Sequence, residues 1–185
     1  MASEEKPKIL LHVCCAVCGS YLVKILKERF EPVVFYYNPN IYPKDEYEKR
    51  SESAKKLAET NNANFIEAEY DYDNWRKAVR GFEKEPEGGK RCPICFALRL
   101  QKTAEEARQN NIPFFATTLS LSPYKDEDVI DKIGEEIGRE KNVRFVTSRE
   151  LCPDKKDFWQ KTREIARQEG FYHQKYCGCE FSLRK

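Results

Sequence analysis

"KILLHVCCAVC", Lys8 to Cys18, is the stretch on which the reading of this chain turns. Its first part, "KILLHV", is a short apolar run that reads as a strand. Its second part places Cys14, Cys15 and Cys18 where that strand gives way to a turn. Open α/β sheets bind ligands outside the carboxyl ends of their strands. Three thiols at such a place call for a ligand of their own.

Outward from this stretch, strand and helix patterns alternate. "PVVFYYN", "NFIEAEY", "IPFFATT" and "VRFVTS" read as four further strands. Helical patterns lie between and after them: "GSYLVKILKERF", residues 44–60, "DNWRKAVRGF", Pro93 to about Gln109, "DEDVIDKIGEEIGRE" and "KDFWQKTREIARQEG". Short apolar strands separated by helices predict a three-layer α/β fold with an open parallel sheet. The helix after Pro93 is expected to turn Ile94, Ala97, Leu98, Ala104 and Ala107 toward one face. "GFEKEPEGGKR", residues 81–91, has three glycines and no periodicity, and reads as a mobile loop. The expectation is a single domain over 1–185, with residues 171–185 as a carboxyl-terminal segment anchored by metal.

Apolar residues make up 40% of the chain, enough for a packed core and against disorder. No apolar run is long enough to cross a bilayer, and the amino terminus lacks the pattern of a signal peptide. A cytoplasmic protein with no membrane partner is expected. The formal charge of +2 permits a nucleic-acid partner without requiring one.

Eight cysteines in 185 residues are many for a reducing compartment, where thiolates gathered on metal explain them better than disulfides. Seven fall into three groups. Cys14 and Cys15 are adjacent, so their side chains diverge, and Cys15 and Cys18 have the spacing of a chelating pair. Cys92 and Cys95, in "RCPICF", stand where Pro93 predicts a helix start, whose dipole is expected to lower the thiol pKa values. Cys177 and Cys179 flank Gly178 in "YCGC", where a tight turn can aim both sulfurs at one site. Cys152 stands alone. Seven thiols exceed one tetrahedral zinc and fit a [4Fe–4S] cluster with one further metal. Structural zinc is the other reading of the spacing, and a redox dithiol is a second reading of Cys92 and Cys95.

The combination of "LLHVCCAVC", "EPEGGKRCPICFALRLQKTA", "TTLSLSPYKD" and "YCGCEFS" resembles the cobalamin-independent epoxyqueuosine reductases, over about Lys8 to Ser182. The resemblance implies a Rossmann-like sheet similar to the nucleotide α-hydrolase and PP-loop group, with the cysteine-rich metal site at its carboxyl edge. It implies reductive removal of the epoxide oxygen from epoxyqueuosine at the tRNA wobble position. A [4Fe–4S] cluster and one mononuclear metal (iron, or zinc as isolated) would be held by Cys14, Cys15, Cys18, Cys92, Cys95, Cys177 and Cys179 together with an aspartate. The partners would be the anticodon stem-loop of tRNA and an external low-potential electron donor. This chain departs from the family pattern at Val17, where proline is usual, and at His173, where arginine is usual. Near "CPDKK", Cys152 or Asp154 occupies the region of a common family aspartate. Asp71, ahead of Asp73, is the expected non-cysteine ligand, its alternative being a helix cap. Tyr124, His173 and Tyr176 are the candidate proton sources. His12 is either a partner of a cluster sulfur or a satisfied core histidine. Phosphate is expected to meet Ser122 and Lys125, the Lys90, Arg91, Arg99 and Lys102 series, and Arg76, Lys77 and Arg80.

Two other functions fit the same residues. A tRNA thiolase would require a phosphate-cradling loop after the first strand, where this chain has cysteines. A zinc-stabilised RNA-binding module would hold zinc without labile sulfide.

Overall fold

The computed structural model describes residues 5–183. The ends of the expected domain, 1–4 and 184–185, lie outside the described residues, as do the last two positions of the expected anchored segment. Five strands form one parallel sheet in the order β3-β2-β1-β4-β5: β1 Lys8–His12, β2 Glu31–Tyr36, β3 Asn64–Glu67, β4 Phe114–Thr117 and β5 Arg144–Phe145. The helices are α1 Ala16–Gly19, α2 Leu22–Leu26, α3 Lys44–Thr60, α4 Tyr72–Ala78, α5 Arg91–Gln109, α6 Glu127–Lys141, α7 Ser148–Leu151 and α8 Phe158–Gln168.

The sheet is buried on both faces, which explains why β1 reads as a continuous apolar run. Ile9 and Leu11 join one core with Leu22, Leu57 and Phe158. Leu10, between them, joins a second core with Leu100, Ala104, Ile130 and Phe145. Alternate side chains of one strand thus supply both cores. Close approach is built in where α6 crosses β5: a Cβ on Gly134 would lie 2.6 Å from the Phe145 ring.

Several sequence expectations are corrected. The first helix begins at Ala16, so Cys18 lies within it, and it is broken from α2 around Tyr21. The last strand stops at Phe145. A capping box of Thr147 and Glu150 then starts α7, which overrides the β-branched run. Helix α5 starts two residues before Pro93, and its buried face is Phe96, Leu100, Thr103, Ala104 and Ala107. Ile94, Ala97 and Leu98 are only half-buried, because Arg91 and Arg99 take positions on the inner side. These two arginines are 1% and 2% exposed and do not face solvent phosphate. Arg91 Nη1 donates to the carbonyls of Phe82, Glu83 and Glu85 and so gathers the preceding loop onto α5. Among the described residues no helix is long and apolar enough to cross a membrane.

Candidate functional site

The seven grouped cysteines come together in two neighbouring sets. Cys14, Cys15 and Cys18 form the first, with their sulfurs all within 4.8 Å of one another. Backbone geometry builds it. The Cys15 sulfur accepts from the Cys18 N–H at 3.4 Å and caps α1. Thr118, just past β4, accepts from the Cys14 N–H at 3.2 Å and lies 3.5 Å from its sulfur. Asn38 donates to the Val13 carbonyl at 2.9 Å and accepts from Arg99, so the residue before the thiols is fixed from β2 and α5.

The three thiols share charge unequally. Hydrogen bonds from Cys15 and Cys18 hold Cys14 well below the usual thiol range despite its burial, with Arg99 and Lys125 helping. Donating to Cys14 pushes Cys15 up to about 12, and Cys18 is raised by its own bond to Cys14. Charge in this set is therefore drawn toward Cys14, with Cys15 and Cys18 as its donors.

Cys92, Cys95, Cys177 and Cys179 form the second set. They line a void of about 20 Å³ with Trp75, Arg91, Phe96 and Arg99. Cys92 and Cys95 come from the first turns of α5. Burial raises both pKa values, Cys95 to about 11. The expected lowering by the helix dipole is thus reversed, because desolvation of the thiolate outweighs it. Burial also raises Cys179. Any metal taking these sulfurs displaces their protons, which makes its binding stronger as pH rises.

Beside this void, three buried donors find no partner among the described residues: Trp75 Nε1, Arg91 Nη2 and Arg99 Nε. All three residues line the four-thiol void. Unpaired buried donors are costly, and beside cysteine sulfurs they suit an anionic, sulfur-rich occupant. The donor set amounts to a cysteine-rich site able to bind metal.

Above the thiols opens a pocket of about 530 Å³. Cys15, Cys18 and Cys177 line it with Ser122, Tyr124, Lys125, Trp159, His173 and Tyr176. The three candidate proton sources thus meet in one pocket with thiols of both sets. Tyr124 is 82% exposed at the rim, and His173 is exposed too. The Tyr176 hydroxyl donates to the Tyr42 carbonyl. Lys125 Nζ lies 4.0 Å from the Cys177 sulfur. Burial works to discharge Lys125, but electrostatic attraction to the neighbouring Cys177 and Cys14 sulfurs outweighs it and raises its pKa.

Other predicted residues lie elsewhere. Asp71 precedes α4 without a side-chain capping bond and lines a separate polar pocket with Tyr37, Glu69, Asn74 and Lys102. It lines none of the thiol cavities. Cys152 is a core thiol, 4% exposed and donating to the Asp154 carbonyl at 3.2 Å, while Asp154 is exposed. Sequence reasoning missed Trp75, Thr118 and Trp159. Their signals are weak: an aromatic on a short helix, a threonine after a strand, and one ring of a "FW" pair.

His12 is the satisfied core histidine. Its Nε2 donates to the Tyr37 carbonyl at 3.1 Å and its Nδ1 accepts from Thr117 Oγ1 at 2.8 Å. Burial, then the Arg99 charge, lowers its pKa to about 3 from 6.5. The unfolded chain takes up a proton that the fold excludes, so His12 favours folding fully above pH 6.5, and that contribution falls as pH drops toward 3. In this window the loss is about 1.4 kcal/mol per pH unit. Denaturant unfolding of metal-free protein from pH 7 to 4 should show it, and His12→Gln should flatten the slope by about one proton. An unchanged slope refutes the assignment.

The family model for epoxyqueuosine reductase QueH matches residues 9–185. Among curated proteins, the chain is 39% identical over 178 residues to epoxyqueuosine reductase QueH of Haemophilus influenzae, covering 96% of this chain and 72% of that one. It is 38% identical to that of Thermotoga maritima, covering 95% and 90%. Among solved structures, it is similar to the U34-tRNA thiolase NcsA from Methanococcus maripaludis with its [4Fe-4S] cluster, at TM-score 0.59 and 12% identity. That match covers 98% of this chain and 63% of the thiolase. It is also similar to a predicted tRNA methyltransferase subunit from Methanocaldococcus jannaschii, at TM-score 0.53 and 15% identity over 86% of this chain and 76% of that one. At these identities the two structures bear on the fold alone.

Proposed function

Because the chain belongs to the epoxyqueuosine reductase QueH family, we propose that the thiol-floored pocket is where epoxyqueuosine of tRNA is reduced. The protein is an oxidoreductase of queuosine biosynthesis that acts on tRNA. The observation carrying the site is that Cys15, Cys18 and Cys177 share one open pocket with Tyr124, Lys125 and His173. The sheet order reverses between β1 and β4, and the thiol and Thr118 segments follow those two strands. A ligand site at the carboxyl edge of a Rossmann-like sheet of the PP-loop kind is supported by that arrangement.

Cys92, Cys95, Cys177 and Cys179 would hold the [4Fe–4S] cluster, since four thiols and three unpaired donors surround one void. Cys14, Cys15 and Cys18 would hold the additional metal, their three sulfurs lying within 4.8 Å of one another. When bound, these groups supply single electrons and Lewis acidity. The division leaves Asp71 as a residue of the neighbouring pocket, whose addition to the metal would need the α4 start to move.

The reaction takes two electrons and two protons. Both carbon–oxygen bonds of the epoxide break, the carbon–carbon double bond of queuosine forms, and the oxygen leaves as water. An external low-potential donor supplies the electrons. His173 and Tyr124, at the rim, are the proton sources of this reading. Tyr176 is held by its bond to Tyr42 and shapes the wall. Lys125 keeps a positive charge where the departing oxygen gathers negative charge. Tyr124 and Trp159 offer ring faces to splayed anticodon bases, and cytoplasmic tRNA is the substrate pool.

The test is anaerobic reconstitution with iron and sulfide, then incubation with epoxyqueuosine-containing tRNA and a reductant. Nucleoside mass analysis should show the loss of one oxygen. A protein that takes up zinc alone, shows no labile sulfide and leaves the nucleoside intact would sink the reading in favour of an RNA-binding module.

A further inference from the structure

Arg50, on α3, is 1% exposed, yet all three of its nitrogens are engaged. Nε donates to Glu46 Oε1 at 2.8 Å, Nη1 to the Cys177 carbonyl at 3.1 Å and Nη2 to the Tyr176 carbonyl at 3.0 Å. Its Cζ stands 5.2 Å from the centre of the Tyr176 ring. The second Glu46 oxygen accepts from the Tyr172 hydroxyl at 2.8 Å, which ties the same carboxylate to the start of the carboxyl-terminal segment.

The far side of that segment is fixed as well. The Tyr42 N–H donates to the Gly178 carbonyl at 2.8 Å, and Ile41 forms a bridge with Cys179. Gly178 has φ +109°, and a Cβ there would lie 2.9 Å from both Arg50 Nη1 and Ile41 Cγ1. The glycine is needed for its backbone angle and for the approach of the guanidinium. One planar cation thus spans two consecutive carbonyls, between a wall residue of the open pocket and a thiol of the inner void.

We propose that Arg50 is a positioning residue that sets Tyr176, Cys177 and Cys179 as one unit, so that the pocket wall and two thiols of the void are placed together. The inference rests on the proposed metal reading of that void. A lysine would keep the charge and the partner Glu46, but a single ammonium on a flexible stem cannot reproduce the fork across both carbonyls.

The test uses the full chain with Arg50→Lys. In metal-free protein, hydrogen exchange at the Tyr42 amide and at the amides of residues 176–179 should rise about tenfold, with β1 and β4 amides unchanged. In reconstituted protein, iron release to a ferrous chelator should speed up by ~10–100-fold, as when a supporting residue behind metal ligands is lost. Wild-type exchange and wild-type iron release in this variant overturn the proposal. If far-UV circular dichroism shows that Arg50→Lys does not fold, Gly178→Ala decides in the same two assays. It displaces the guanidinium from the opposite side, and unchanged rates in it overturn the proposal. Wild-type protein that takes up no iron refutes the metal reading instead, and the exchange measurement still judges the role of Arg50.

Discussion

Cys177→Ala will fold and will not reduce epoxyqueuosine. Cys177 lines the open pocket, the small cavity beside Tyr124 and Cys92, and the inner four-thiol void. It is thus the thiol at which the substrate space meets the metal space. Its backbone is held by Arg50, and its side chain is only half-buried, so truncation removes a ligand without opening the core. Turnover should fall by more than ~100-fold, beyond the ~10–100-fold that losing a supporting residue costs. Iron and labile sulfide per chain should fall with it, while the denaturant midpoint of metal-free protein stays near wild type. Cys152→Ala is the contrasting variant. It removes a core thiol that lines no cavity of the site and should leave turnover intact. Full activity in Cys177→Ala, measured by nucleoside mass, would remove the basis for the proposed ligand set.

The largest loss of stability should come from Trp75→Ala. Trp75 is wholly buried and forms a small separate core with Val79, Cys95 and Cys179. Its ring stands 5.8 Å from Tyr72 and 6.0 Å from Phe181. Removing it leaves a cavity between α4, α5 and the carboxyl-terminal segment, at a cost of about 3–5 kcal/mol. That is a large part of the ~5–15 kcal/mol that holds a typical domain together. Urea unfolding of metal-free protein measures it, and a loss below about 1 kcal/mol would contradict the role assigned to this core. Trp75→Phe separates packing from hydrogen bonding. It keeps most of the ring and removes the indole N–H, which stands beside the four-thiol void without a geometric hydrogen bond among the described residues. It should keep the fold and speed the release of iron.

How far the chain could be read without its structure depended on whether the signal was local. The five strands were legible because each is a short apolar segment between helical patterns. Helix α3 was legible over roughly its whole length, Lys44–Thr60. The last strand was misjudged because a capping box at Thr147 competes with a β-branched run, and one pair of hydrogen bonds decides it. The face of α5 was misjudged because Arg91 and Arg99 look like solvent residues in any periodicity argument. They are buried because backbone carbonyls and Asn38 satisfy them across the fold.

Residue types and their spacing were enough for the strand–helix alternation, the seven grouped thiols and, through motifs in a fixed order, the family. These are properties of residue type and spacing, which travel with the chain. Only the folded chain brings Cys92 and Cys177, far apart in sequence, to the lining of one void. It alone gave Arg50 and Trp75 their places and left Asp71 outside the thiol cavities. The physical reason is that burial, unpaired donors and pKa depend on neighbours brought in by sheet order and by the return of the last segment.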